Sequence, residues 1–177
     1  MQDTTMTLMS RHWEVLNAIH DTLEADADLS GYNPKIQKKA YNRGMRWEPG
    51  LFVVPGSRTD PVFENRREEI GLQCVVVFIE PKDSDLTDGL ENHLAVSERV
   101  MAIFKNKAHG YAPYPLRQLT TALSSDDAMT FQRVDAQQGP QFPDEPFNAG
   151  YDVSAVVVTV YVTYLPRDTS QLGVPAP

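Results

Sequence analysis

Apolar residues recur at three- and four-residue steps in two stretches of the chain, and alternate or run together in several others. In the first stretch Trp13, Leu16, Ile19, His20 and Leu23 share one stripe, the spacing of an amphipathic helix. The pattern predicts a helix from near Ser10 to near Ala25, with Ser10 as its N-cap and Val15 toward the edge of the stripe. Gly31 closes the polar segment that follows. In the second stretch Leu90, Leu94, Ser97, Met101 and Phe104 form a stripe that Val96, Val100 and Ile103 widen to a broad face. This predicts a helix from about Leu90 to about Lys105. Asp88 stands three residues before Glu91, the spacing of a capping box. Lys105 and Lys107 suit the negative C-terminal end of the dipole.

The other apolar runs read as strands. Leu51-Phe52-Val53-Val54-Pro55 is short, and Pro55 with Gly56 is expected to stop it. Ile70 to Glu80 is apolar throughout, which fits a central strand covered on both faces. Met129 to Val134 alternates, and Asp135 to Gly150, with Pro140, Pro143 and Pro146, reads as a long loop. Tyr151 to Leu165 gives the longest strand signal, with apolar residues on both faces. It calls for cover on both sides, or for a partner subunit on one. Lys107 to Asp127 begins irregularly around Tyr111, Pro113, Tyr114 and Pro115, and Leu116 to Leu123 fits a short helix or strand.

This order implies an α+β fold: a mostly antiparallel sheet of about four to five strands with two main helices packed on one face. One domain is expected over residues 10–166, between a flexible N-terminus (1–9) and a flexible C-terminal tail (167–177). The 177 residues suit a single unit. At that size a chain buries roughly 70% of its unfolded surface, enough for a core without staples.

Charge narrows the function classes. The net charge of −8 has the wrong sign for a general nucleic-acid binder, which gains affinity by neutralising phosphates. The lone Cys74 lies within an apolar strand and cannot form an internal disulfide or a cysteine zinc cage. No stretch approaches the roughly 20 apolar residues of a membrane span, and the N-terminus lacks the pattern of a signal peptide.

The search for chemistry finds no reaction centre. His12, His20, His93 and His109 form no HExxH or His-x-His pair and read as surface or partly buried side chains. There is no Gly-x-Ser-x-Gly, P-loop or Gly-x-Gly-x-x-Gly. No catalytic residue, cofactor or metal is expected, and the chain reads as a non-enzyme.

Three charged segments are the candidate contact surfaces. Lys35, Lys38, Lys39, Arg43 and Arg46, accompanied by Tyr41 and Trp47, are uninterrupted by acids. They suit a solvated loop or short helix, a contact with an acidic neighbour, or a nucleic-acid surface. Ser57 to Glu69, with Arg58, Glu64, Arg66, Arg67 and Glu68, suits a long loop or an extended hairpin arm that meets another subunit. After Arg117 only Arg133 and Arg167 are basic, against Asp126, Asp127, Asp135, Asp144, Glu145, Asp152 and Asp168. An early basic segment and a late acidic one, with Asp144 and Glu145, could meet head to tail in a ring.

The layout resembles a known family. An amphipathic helix begins at Trp13-Glu14-Val15-Leu16, and an apolar strand from Leu72 to Ile79 runs into a polar link. A second helix starts at Asp88-Gly89-Leu90-Glu91, and after a wide gap comes the long strand from Tyr151 to Tyr164. Over roughly Ser10 to Pro166 this is similar to the tail terminator (tail completion) proteins of long-tailed bacteriophages and to related neck and minor tail proteins. The resemblance is one of layout and not of a diagnostic motif.

It implies a structural virion protein, assembled in the host cytoplasm, that forms a homo-oligomeric, hexameric ring. The ring would cap the tail tube, with the tail tube protein and a head-completion (stopper) protein as partners. DNA would pass through the lumen without specific binding, and no membrane is involved. A head-closure or neck protein of the same connector stays open, as does a non-viral protein-binding α+β domain. A site assembled from scattered residues would be a third possibility.

Overall fold

The structure is a computed structural model that describes residues 11–37, 48–59, 62–64, 67–81, 88–120, 129–141 and 150–164. Helix α1 spans Arg11–Ala25. Strand β1 (Lys35–Ile36), β2 (Gly50–Arg58), β3 (Val62–Glu64) and β4 (Arg67–Pro81) follow. Helix α2 spans Asp88–Phe104, and β5 (Lys107–Ala108), β6 (Met129–Gln141) and β7 (Tyr151–Tyr164) complete the order. Short 3-10 turns occupy Ser30–Tyr32, His109–Tyr111 and Leu116–Thr120.

Among the described residues the strands join one seven-stranded sheet in the order β1-β2-β4-β7-β6-β5, with β3 also paired to β4. The α+β class holds. The expected sheet of about four to five mostly antiparallel strands is corrected: the sheet is larger and mixed, because β1 runs parallel to β2. The two-residue strands carry no periodic signal: the edge of β2 recruits Lys35–Ile36, and the edge of β6 recruits Lys107–Ala108.

Two boundaries also move. Pro55 and Gly56 do not stop β2, which continues to Arg58 through an irregularity between Pro55 and Arg58. Gly56 makes this possible, since a Cβ there would lie 3.0 Å from the Gln73 carbonyl oxygen. The strand also does not end at Val134: Asp135 to Gln141 stays in β6 and pairs with Thr159 to Ser154 of β7. The sequence Asp-Ala-Gln-Gln-Gly-Pro-Gln has poor strand propensity, and the ladder supplied by β7 overrides it. By contrast, the charged segment after Ser57 forms the hairpin arm, in which β3 pairs with the start of β4 and Glu64 opposes Arg67. Tail residues 1–9 and 167–177 lie outside the described residues.

Both helices cover the same face. Even-numbered residues of β4 and β7, including Ile70, Leu72, Val76, Phe78, Val156, Val158, Val160 and Val162, share one core with residues of α1 and α2. Burying each such side chain fully contributes roughly 1.5–3 kcal/mol. In α1 the buried arc is Val15, Leu16, Ala18, Ile19, Thr22 and Leu23. Val15, expected at the edge, is 0% exposed, and Trp13, expected in the stripe, is 53% exposed. The opposite sheet face carries a smaller cluster of Phe52, Val77, Ile79 and Val153, bordered by partly buried Val54, Val75, Tyr151 and Ala155.

Candidate functional site

A chain of polar groups crosses the interface between α2 and the sheet. The phenol of Tyr32 donates to Asn92 Oδ1 (2.7 Å), and Asn92 Nδ2 donates to Glu80 Oε1 (2.6 Å). Glu80 Oε2 lies 3.8 Å from His93 Nε2. His93 Nδ1 lies 2.8 Å from Ser154 Oγ. Phe78 packs against both rings: Tyr32 meets it edge-on at 4.9 Å, and His93 is tilted at 4.7 Å.

Local sequence explains each placement. His93 is in phase with Val96, Ser97, Val100 and Phe104, so it lies on the buried face of α2. Ser154 and Glu80 occupy inward positions of β7 and β4. The expectation of a surface or partly buried His93 is thus corrected, since it is fully buried. Its phase with the valines of α2 was the available signal, but its neighbours Glu80 and Ser154 come from separate strands, the second of them 61 positions away, and have no local signature.

Burial sets the electrostatics. Desolvation is the main cause that lowers the His93 pKa from its ordinary 6.5, although the charge of Asp152 acts in the other direction. Desolvation likewise raises the Glu80 carboxyl above 4.5, with the Asn92 hydrogen bond opposing and Asp152 reinforcing the rise. The order serine, histidine, carboxylate matches a hydrolytic triad by connectivity. Ser154 is 1% exposed, however, and lies within a regular ladder opposite Phe78 and Gln141. It lacks the sharp, exposed turn that presents a nucleophile to substrate. The network joins a helix to a sheet.

A second feature is external. Leu94, Met101, Ala102, Lys105, Lys107 and Gln138 help to line a groove of about 530 Å³ between α2 and the β5–β6 edge. Leu90 and Leu94 are 44% and 40% exposed. The stripe expected to be core is therefore split: Val96, Val100 and Phe104 are buried, while Leu90 and Leu94 face outward.

The far sheet face has its own polar cluster. The Arg133 guanidinium sits 3.5 Å over the Tyr161 ring, and its Nη2 lies 3.5 Å from Glu69 Oε1. On the helix face of β4, His12 Nε2 lies 2.7 Å from the Gln73 carbonyl, which can only accept, so this nitrogen carries the proton. On α1, His20, Asp21 and Glu24 place three donor atoms within 4.8 Å of one another. Exposed groupings of this kind are common.

The charged residues singled out from sequence fall in separate places. Lys35 Nζ donates to Glu48 Oε2 at 3.4 Å, and both side chains are largely exposed. Arg58 is exposed at the end of β2, opposite Leu72. Glu64 and Arg67 are register partners in the hairpin, and Glu68 stands opposite Phe63 and Tyr164. The sheet does not bring Lys35, level with Phe52 and Val77, to that end. Lys38, Lys39, Arg43, Arg46, Arg66, Asp144 and Glu145 lie outside the described residues. No described helix is long and apolar enough to cross a membrane.

No family model matches the chain, and no curated protein matches it. A solved structure superposes with a TM-score of 0.39 at 12% identity, over 89% of this chain and 96% of that one. A likeness at that level carries no argument about function.

Proposed function

We propose that the chain is a structural subunit of a phage head–tail joint, a tail terminator whose hexameric ring caps the tail tube and meets the head-completion protein. The observation that carries this reading is the asymmetry of the sheet. Both helices cover one face, while Val54, Val75 and Ala155 stay partly exposed on the other. A long valine strand with an incompletely covered face suits a subunit whose remaining cover comes from a copy of itself. The α+β layout and the hairpin arm fit the same reading, as does the acidic chain, which suits a lumen through which DNA slides without sticking.

Native mass measurement with electron microscopy of the purified protein, alone and mixed with tail tubes, tests it. A closed ring in solution or at tube ends is expected. A protein that stays monomeric at high concentration and leaves tube ends bare would overturn the reading.

A further inference from the structure

We infer that the end of α1 binds one divalent cation of the zinc or nickel kind, held by His20 Nδ1 and the carboxylates of Asp21 and Glu24. This goes beyond the ring reading and does not depend on it.

The ring of His20 is fixed from behind. Its Nε2 lies 2.9 Å from the Pro34 carbonyl oxygen, which only accepts, so Nε2 carries a proton. A backbone carbonyl in that place is a usual outer partner of a metal-bound histidine, because it sets the tautomer and the ring orientation. The other nitrogen, Nδ1, is turned toward Asp21, whose Oδ1 is 3.0 Å away. A lone pair and a carboxylate oxygen repel at that distance unless positive charge lies against both. A second ring proton would serve His20 and Asp21 alone, whereas a divalent cation serves Glu24 as well.

The spacing suits a metal. Two donors bound to zinc at about 2.1 Å, roughly 90–110° apart around it, are separated by about 3.0–3.4 Å. His20 Nδ1 and Asp21 Oδ1 already have that separation. Glu24 stands one helical turn after His20, and the donor atoms of all three lie within 4.8 Å of one another. The Glu24 side chain is exposed, so a change of rotamer closes the remaining gap.

Charge at this end of the helix points the same way. The last turn of α1 contains no basic residue, and the helix dipole is negative there. Arg99 is engaged by Asp26 and Asp28, and Lys35, next to Pro34, is engaged by Glu48. The imidazole selects zinc or nickel over magnesium, which prefers oxygen ligands and keeps its waters. All three protein ligands come from one turn of helix, so the remaining coordination positions are left to water. Motifs built on two histidines do not reveal this set, which contains one.

Calorimetric titration of the full chain with zinc chloride, and separately with magnesium chloride, tests this at neutral pH. Zinc is expected to bind at one site that magnesium does not fill. His20→Ala and Glu24→Gln should each weaken that binding by at least about tenfold, whereas His109→Ala should leave it unchanged. No zinc binding, equal binding of magnesium, or zinc binding that ignores both His20→Ala and Glu24→Gln overturns the site.

A second measurement needs no variant. Nickel ions added to the wild-type protein should broaden the NMR signals of His20, Asp21 and Glu24 before those around His12 and His109. Broadening that starts at the other histidines, or spreads evenly over the acidic surface, overturns the inference. Zinc should also raise the thermal midpoint of the wild type but not of Glu24→Gln, because an ion bound only to the folded chain stabilises it. An equal rise in both would place the ion elsewhere and overturn the inference too. None of these outcomes bears on whether the chain forms a ring.

Discussion

His93 Nδ1 lies 2.8 Å from Ser154 Oγ, at a point where neither residue is more than 1% exposed. Helix α2 is therefore fastened to β7 by a buried polar pair as well as by apolar packing. Removing the serine hydroxyl would strip a buried ring nitrogen of this partner. Ser154→Ala is expected to lower unfolding free energy by about 1–3 kcal/mol, read from the urea midpoint at unchanged slope. A shift of less than a few tenths would mean that the hydroxyl contributes nothing to the interface.

The same histidine gives stability a pH dependence. Its pKa is lower in the folded protein than its ordinary 6.5, so the unfolded chain binds the extra proton first as pH falls. Stability that is present above pH 6.5 is then lost as pH falls from there toward the depressed folded value. Glu80 acts in the opposite sense, because its raised pKa lets the folded protein take up a proton first. His93→Gln should flatten the stability profile just below pH 6.5, and an unchanged slope would assign that titration elsewhere.

Gly71 in β4 has no room for a side chain. A Cβ there would lie 2.8 Å from Thr59 Oγ1 and 3.0 Å from Thr159 Cγ2. The Gly71 amide also donates to Thr59 Oγ1 at 2.7 Å, so the threonine cannot withdraw without losing a bond. Gly71→Ala is expected to cost about 1–3 kcal/mol. Gly31→Ala, where nothing lies within 4 Å, should be close to neutral in the same thermal melt.

Desolvation pushes the Cys74 thiol up to about 12. It is fully buried, with His12 Nε2 at 3.8 Å from its sulfur. At pH 8 the folded protein should react with a thiol-specific reagent only as fast as it opens, and the unfolded chain at once. Rapid labelling of the native protein would show that this part of β4 opens easily.

Arg99 makes a forked contact with Asp26, with Nε and Nη2 at 3.2 and 2.7 Å from Oδ2, and so links α2 to the end of α1. The hydrogen bond from Arg99 lowers the Asp26 pKa below 3.8. The stability from this pair is present above pH 3.8 and lost as pH falls through the folded value. Arg99→Ala should reduce that acid-side loss, and Arg99→Lys should keep only part of the contact because it lacks the fork.

Much of this architecture is legible in the sequence because period is a local property. The valine run from Val153 to Val162 specifies a strand, and the three- and four-residue spacings around Leu16 and Val100 specify helices, whatever they pack against. Period leaves direction open. On α2 the apolar arc is wider than the face a sheet can cover, so packing decided that Val96, Val100 and Phe104 turn inward while Leu90 and Leu94 stay outside. Asp135 to Gln141 is strand only because β7 offers it a ladder, and Lys35–Ile36 only because β2 has a free edge. The buried network of Tyr32, Asn92, Glu80, His93 and Ser154 is likewise a tertiary product. Its members come from four separate stretches of the chain, and desolvation, which makes their hydrogen bonds obligatory, arises only when the elements close on one another.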